Sequence, residues 1–174
     1  MKGFIKDFPA AAARFLQKKA QRRFMYLCLL GILAFADFLI LGLVRRTFVF
    51  YSIDTGIPVV EDRMVSQTGS RENVISRYVK EALLGPVSLD SAPLFSKGTR
   101  LESLLYRDGV IYADLSESAA LAPLNGADVF TGLYTLYGGI RRNFSYVKDV
   151  RLFIAGHEAY SEKFREKFVG IADI

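Results

Sequence analysis

The apolar positions along the chain change their spacing twice, and each change marks a different kind of segment. Residues 24–44, FMYLCLLGILAFADFLILGLV, are apolar around the whole circumference of a helix and carry one charge, Asp37. As a helix these residues rise roughly 31 Å, enough to cross a hydrocarbon core of about 30 Å. Asp37 opposes insertion by roughly 2.5–3.5 kcal/mol. The thirteen Leu, Ile, Phe and Val residues favour it by about 0.3–0.6 kcal/mol each, so the pattern predicts a transmembrane helix over 24–44. A cleaved signal peptide ending at Ala34-Phe35-Ala36 is the alternative, but it would leave the apolar run 38–44 on the mature chain. Cys28 follows Met25-Tyr26-Leu27, which lacks the small residues of a lipid-attachment signal, and reads as a small apolar residue of the span. Asp37 reads as a tolerated acid, with a partner-helix contact or a proton relay as the functional alternative.

Beyond Arg46 the period shortens. Thr47 to Asp54 (TFVFYSID) is rich in β-branched and aromatic residues, and the turn Asp54-Thr55-Gly56 leads to a short extended piece, 57–60, giving a hairpin. Glu72 to Leu84 places Val74, Ile75, Tyr78, Val79, Ala82 and Leu83 at helical spacing, with Ser70 as the cap and Gly85-Pro86 as the stop. Residues 100–106 and 110–115 flank Asp108-Gly109, the favoured chemistry of a tight hairpin turn. Asn125 to Asp128 resembles a capping box that opens a second helix running to about Arg142, with Gly138-Gly139 weakening its end. A last strand over 150–155 stops at the turn Gly156-His157, and a tail helix over 161–169 aligns Phe164, Phe168 and Ile171. This order predicts an α+β fold: a small mixed or antiparallel sheet with two helices packed on one face, preceded by one transmembrane helix.

Composition adds less than its distribution. The chain has 174 residues, a net charge of +5 and a single Cys, so an intramolecular disulfide framework is excluded, and with one His no His-rich metal site is expected. The basic excess is local: residues 1–23 hold seven Lys or Arg against Asp7, while residues 45–174 hold sixteen basic and sixteen acidic side chains. The charge-balanced remainder argues against nucleic acid as a partner. The asymmetry instead sets orientation: 1–23 is a basic cytoplasmic tail, 24–44 the membrane helix, 45–160 an extracytoplasmic domain and 161–174 a helical tail, all in a bacterial inner membrane.

Catalytic motifs are missing from this sequence: it contains no GxxxxGK[ST], GxSxG or HExxH. Asp108, Asp114 and Glu117 are the carboxylates a glycan hydrolase would need, but a turn, a strand and a loop are their simpler settings. His157 sits in a turn and receives no role. Arg141, Arg142, Lys148 and Arg151 form a local basic cluster that either meets an acidic partner or complements a helix C-terminus. No catalytic, cofactor or metal residue is assigned.

Five ordered segments resemble the GerMN domain family of sporulation and germination proteins. They are TFVFYSID with IPVVEDR, the helix end EALLGP (81–86), KGTRL (97–101), DGVIYADLS (108–116) and the strand 147–155. Ser96 stands where the family usually has Pro, and Ala155-Gly156-His157 replaces its common Asp-Gly turn. The resemblance covers roughly 47–160 and implies an assembly module, ring-building in sporulation proteins, rather than an enzyme. One copy fits here, where some members carry two. The expected partners are the bilayer through 24–44, other envelope proteins and further copies of the chain, with a glycan-binding protein or cell-wall hydrolase as the alternative function.

Overall fold

A computed structural model describes residues 19–123 and 128–161, with residues 19, 20 and 37–41 described by their backbone alone. The chain divides into two compact units, 1–42 and 43–174.

In the first unit, helix α1 runs Lys19–Leu41. It ends where Gly42 adopts φ +52°, a left-handed conformation that glycine enters without a side-chain clash. The expected span 24–44 is therefore too long at its C-terminal end, because Leu43 and Val44 already belong to a strand. Among the described residues no helix is long and apolar enough to cross a membrane. Asp37 lies among side chains outside the described residues. So does the tail helix with Phe164, Phe168 and Ile171, and so does residue Asn125 of the expected capping box.

The second unit contains β1 (Leu43–Ser52), β2 (Pro58–Ser66), α2 (Arg71–Leu83), β3 (Ser91–Ala92), β4 (Leu101–Arg107), β5 (Val110–Leu115), a 3₁₀ turn (Glu117–Ala120), α3 (Val129–Asn143), β6 (Asp149–Ile154) and β7 (His157–Tyr160). The α+β class holds, but the strands form two sheets, β2-β1-β3 and β4-β5-β6-β7, instead of one. All pairings are antiparallel except β5 with β6, which are parallel and joined through α3. Helices α2 and α3 contact strands of both sheets, so they do not simply cover one face of one sheet. A single core unites them, with Phe48 and Phe50 from β1, Ile75 and Tyr78 from α2, Ile111 and Leu115 from β5, Leu136 and Ile140 from α3, and Leu152 from β6.

Strand β2 continues through its pairing with β1 to Ser66, well past the expected end at residue 60, and two of its inward positions are charged. Val59, Glu61, Arg63 and Val65 alternate toward the interior. Arg63 donates to Glu61 Oε2 at 2.7 Å and to the carbonyls of Glu81 (3.2 Å) and Gly85 (2.7 Å) at the end of α2. Its guanidinium also lies 5.2 Å from the ring centroids of Phe48 and Phe50. Burial works against ionisation of Glu61, but hydrogen bonds from Arg63 and from the N–H groups of Val87 and Ser88 outweigh it and hold the carboxyl below its usual range. The pair thus occupies a place where periodicity calls for apolar residues.

Helix α2 begins as its sequence predicts, with Ser70 Oγ accepting from Asn73 N–H at 3.2 Å. Helix α3 is capped by Asp128, whose Oδ1 accepts from Thr131 N–H at 2.7 Å, and it runs through Gly138-Gly139 to Asn143. Asn143 closes the open edge of β1. Strand β3 pairs with β1 only at Tyr51 and Ser52, leaving Thr47 without a strand on that side. The Asn143 side chain accepts from Thr47 N–H at 3.0 Å and donates to Thr47 O at 2.8 Å and to Gly139 O at 2.9 Å. Arg46 donates to the Asn143 carbonyl and stacks 4.5 Å from the Phe144 centroid. Tyr78 OH donates to Thr47 O at 3.1 Å, and burial pushes that phenol up to about 12.

Gly139 explains why glycines persist so late in α3: a Cβ there would overlap the Tyr78 hydroxyl, whereas one at Gly138 would meet open space. Gly138→Ala should therefore stabilise the protein by up to about 1 kcal/mol through helix propensity. Gly139→Ala should destabilise it by about 1–3 kcal/mol through overpacking. Adding Tyr78→Phe to Gly139→Ala should recover part of that loss in urea denaturation. Equal effects of the two glycine substitutions would contradict the close approach.

The β6–β7 turn carries Ala155 at φ +49° and Gly156 at φ +79°, so the expected turn is present but His157 already belongs to β7. A left-handed alanine costs roughly 1–2 kcal/mol. Ala155→Gly should raise the urea midpoint by an amount equivalent to about 1 kcal/mol; an unchanged or lowered midpoint would show that the turn is not strained.

Candidate functional site

The β4–β5 turn is the type that its Asp-Gly pair predicts, with Asp108 at φ +53° and Gly109 at φ +90°. Glycine serves a second purpose here. A Cβ at position 109 would come within 2.9 Å of Lys148 Cδ, and the N–H groups of Lys148 and Asp149 donate to Gly109 O at 2.7 and 3.4 Å. The stem of Lys148 is therefore laid across the turn.

Beside it, Tyr106 and Tyr146 meet edge to face with centroids 5.8 Å apart, and Tyr106 OH donates to Tyr146 O at 3.5 Å. The Arg71 guanidinium at the start of α2 lies 4.8 Å from the Tyr146 centroid. Burial pushes the Tyr146 phenol up, against the opposing charges of Arg46 and Arg71, so the group stays a neutral hydroxyl at neutral pH. Arg71, Tyr106, Asp108, Gly109, Tyr146 and Lys148 line an open depression of about 520 Å³. A second depression, of about 290 Å³, lies between α2 and β4, where Glu72, Asn73, Ser76 and Lys80 face residues 101–104. Glu72 Oε1 there accepts from Tyr106 N–H at 3.2 Å.

Asp108 is not brought to the other carboxylates singled out in the sequence. Asp108 lies in the turn before β5, and Asp114 near the far end of that strand. Six residues of extended chain separate them by roughly 20 Å, whereas a hydrolase pair needs about 5–9.5 Å. Asp114 Oδ1 accepts from Gly156 N–H at 3.0 Å and supports the β6–β7 turn, and Glu117 sits in the first turn of the 3₁₀ segment.

The basic cluster disperses as well. Arg141 donates to Tyr137 OH at 3.0 Å, while Arg142 acts electrostatically on Tyr78. Lys148 joins the tyrosine depression, and Arg151 lies 3.9 Å from Asp149 and 5.6 Å from the Tyr112 centroid. Among the described residues no group of three or more His, Cys, Asp or Glu is placed to hold a metal ion. The depression itself was not visible in the sequence, since its tyrosines lie forty positions apart; only the Asp-Gly turn hinted at a fixed point.

Another surface is apolar. Loop 84–90 is tied to the β1–β2 hairpin: Ile53 N–H donates to Asp90 O at 2.9 Å, and Val87 and Ser88 N–H groups donate to Glu61. At this end Ile57, Leu84, Val87 and Leu89 are exposed, Leu89 by 94%. So many large apolar side chains in one region exceed the scattered exposures that need no explanation.

The sequence profile described as "Germane: Sporulation and spore germination" matches residues 49–160. No curated protein matches the sequence significantly. Among solved structures, the tandem GerMN domains of the sporulation protein GerM from Bacillus subtilis are similar at 18% identity and a TM-score of 0.50, covering 66% of this chain and 40% of that one. The first GerMN domain of the same protein is similar at 20% identity and a TM-score of 0.49, covering 67% of this chain and 86% of that one. A putative lipoprotein from Clostridium perfringens is similar at 18% identity and a TM-score of 0.44, covering 69% and 80%. This chain thus spans two fifths of the tandem structure. With the profile covering well over half of its residues, the chain belongs to the Germane family of sporulation and spore-germination domains.

Proposed function

We propose that this protein is a membrane-anchored envelope component whose Germane domain works by binding other proteins of an assembly, in a role related to sporulation or germination. The observation that carries the reading is exposed apolar surface on both units. In α1, Phe24, Tyr26, Leu27, Leu29, Leu30, Ile32, Leu33 and Phe35 all stand open. A helix apolar on all sides needs an apolar surrounding. The apolar part of the helix within the described side chains is too short to span by itself, but the sequence carries the run on to Leu41, and residues 24–41 rise roughly 27 Å as a helix, at the lower end of what spans a bilayer core of about 30 Å. The basic residues before it and the balanced charge after it support a cytoplasmic N-terminus and an extracytoplasmic domain.

In the domain, the apolar end around Ile57, Leu84, Val87 and Leu89 is the surface for a partner, either another envelope protein or a second copy of this chain. Rigid hydrogen bonding of the loop to β1 and β2 suits it to docking, since little order has to be gained on binding.

Two measurements test this reading. A reporter that is active only outside the cytoplasm, fused after Ile174, should be active and remain with membranes after alkaline extraction. A cytoplasmic signal or release into the soluble fraction would overturn the anchor. A photo-crosslinker at Leu89 should capture a defined partner or a dimer in cells, while one at Lys97 should not; equal labelling at the two positions would overturn the docking surface.

A further inference from the structure

The depression formed by Arg71, Tyr106, Asp108, Gly109, Tyr146 and Lys148 is not used by the docking reading, and it gathers two cations on one surface. Arg45, Arg63, Arg100, Arg107 and Arg151 each lie within 4 Å of a carboxylate. Among the described residues Arg71 and Lys148 have none, as is also true of Arg46, Arg77, Lys80, Lys97 and Arg142, but Arg71 and Lys148 line one depression together. Asp108 at the rim is within 3.6 Å of Arg107 instead. What holds the two cations in place is apolar and backbone contact: Arg71 stacks on Tyr146, and the Lys148 stem lies over Gly109. Two cations in one concavity, against a single carboxylate that already faces Arg107, leave a net positive potential that favours an anion.

The rest of the lining narrows the ligand. Two tyrosine rings in edge-to-face contact give an apolar surface with hydroxyls at its margin, and Asp108 adds an exposed acceptor. A volume of about 520 Å³ falls in the range of small-molecule sites, about 300–1,000 Å³. Inorganic phosphate would satisfy the cations but make no use of the apolar part of the lining, and a neutral sugar would do the reverse. Nucleic acid needs a stripe of phosphate contacts, which the charge-balanced region after residue 44 does not provide.

The geometry points to a binding site for an acidic sugar, a carbohydrate ring bearing a carboxylate or phosphate, between the start of α2, the β4–β5 turn and the loop before β6. Arg71 and Lys148 hold the acid group, Arg71 by the paired N–H donors that suit a planar or tetrahedral anion. Tyr106, whose ring Arg71 does not cover, carries the C–H face of the sugar ring.

The test uses the full-length chain in zwitterionic micelles at low salt, with backbone amide resonances of Gly109, Tyr146 and Lys148 followed by NMR. Glucuronic acid and glucose 6-phosphate should each give saturable shifts at these three positions, about tenfold tighter than inorganic phosphate or glucose. Arg71→Gln and Lys148→Gln should each weaken binding about tenfold, equivalent to about 1.4 kcal/mol, with the remaining resonances undisturbed as proof of folding. Arg141→Gln should leave it unchanged. Equal binding of inorganic phosphate would reduce the site to a simple anion contact and overturn the inference. So would equal binding of glucose, a comparable loss in Arg141→Gln, or no saturable shift up to about 20 mM of either acidic sugar.

Discussion

The side-chain amide of Asn143 does the work of a missing strand. Strand β1 stands in the middle of its sheet, yet its partner β3 reaches only Tyr51 and Ser52, so the N–H and C=O of Thr47 would face the interior unpaired. An orphaned buried backbone group costs about 1–3 kcal/mol. Asn143 satisfies both groups of Thr47 and at the same time accepts the end of α3 into the structure through Gly139 O. The two sheets share no strand, and this contact, together with the 2.9 Å bond between Tyr51 OH and Thr135 Oγ1, fastens α3, which also packs on β6 and β7, to β1.

The neighbouring features follow from that fastening. Tyr78 of α2 reaches the same Thr47 carbonyl only because Gly139 leaves room for its hydroxyl. Phe48 stacks on Tyr78 with centroids 4.6 Å apart, and Phe144 meets Tyr78 edge-on at 5.5 Å. Once α3 is held there, the short stretch from Phe144 to Lys148 has to pass beside the β4–β5 turn. That route places Tyr146 against Tyr106 and Arg71, and Lys148 on Gly109. The tyrosine depression is therefore a consequence of how α3 ends, whereas the apolar end at Leu84–Leu89 depends on a separate brace, the Glu61–Arg63 pair. Two distinct supports for two distinct surfaces are what a binding module with more than one contact would need.

Features that depend on adjacent residues were legible in the sequence. The Ser70 cap, the apolar face of α2 and the Asp108-Gly109 turn are set within a few positions of one another, and the structure places each where its pattern predicts. The ordered motifs likewise identified the family. Features that depend on distant partners were not legible. The expected strand 57–60 is too short because the inward direction of Glu61 and Arg63 makes sense only with the α2 carbonyls about twenty residues away. β3 is too short to carry a period, and β7 (HEAY) has no alternating apolar face. Asn143 looked like an ordinary residue beyond a helix end. The run Arg141, Arg142, Lys148 and Arg151 looked like one patch, but helical rotation and strand direction send its members to different places. Only Lys148 reaches the candidate site, beside an arginine and two tyrosines drawn from other parts of the chain.

Hydrogen exchange at the Thr47 amide tests the central role of this contact most directly. In the wild-type chain the amide should be protected to the same order as those of Phe48 and Phe50, although no strand lies on the side it faces. In Asn143→Ala its protection should fall by at least about tenfold relative to the amides of β5, which lie in the other sheet. A Thr47 amide that exchanges in the wild type as fast as an open sheet edge, or that is indifferent to Asn143→Ala, would contradict the account.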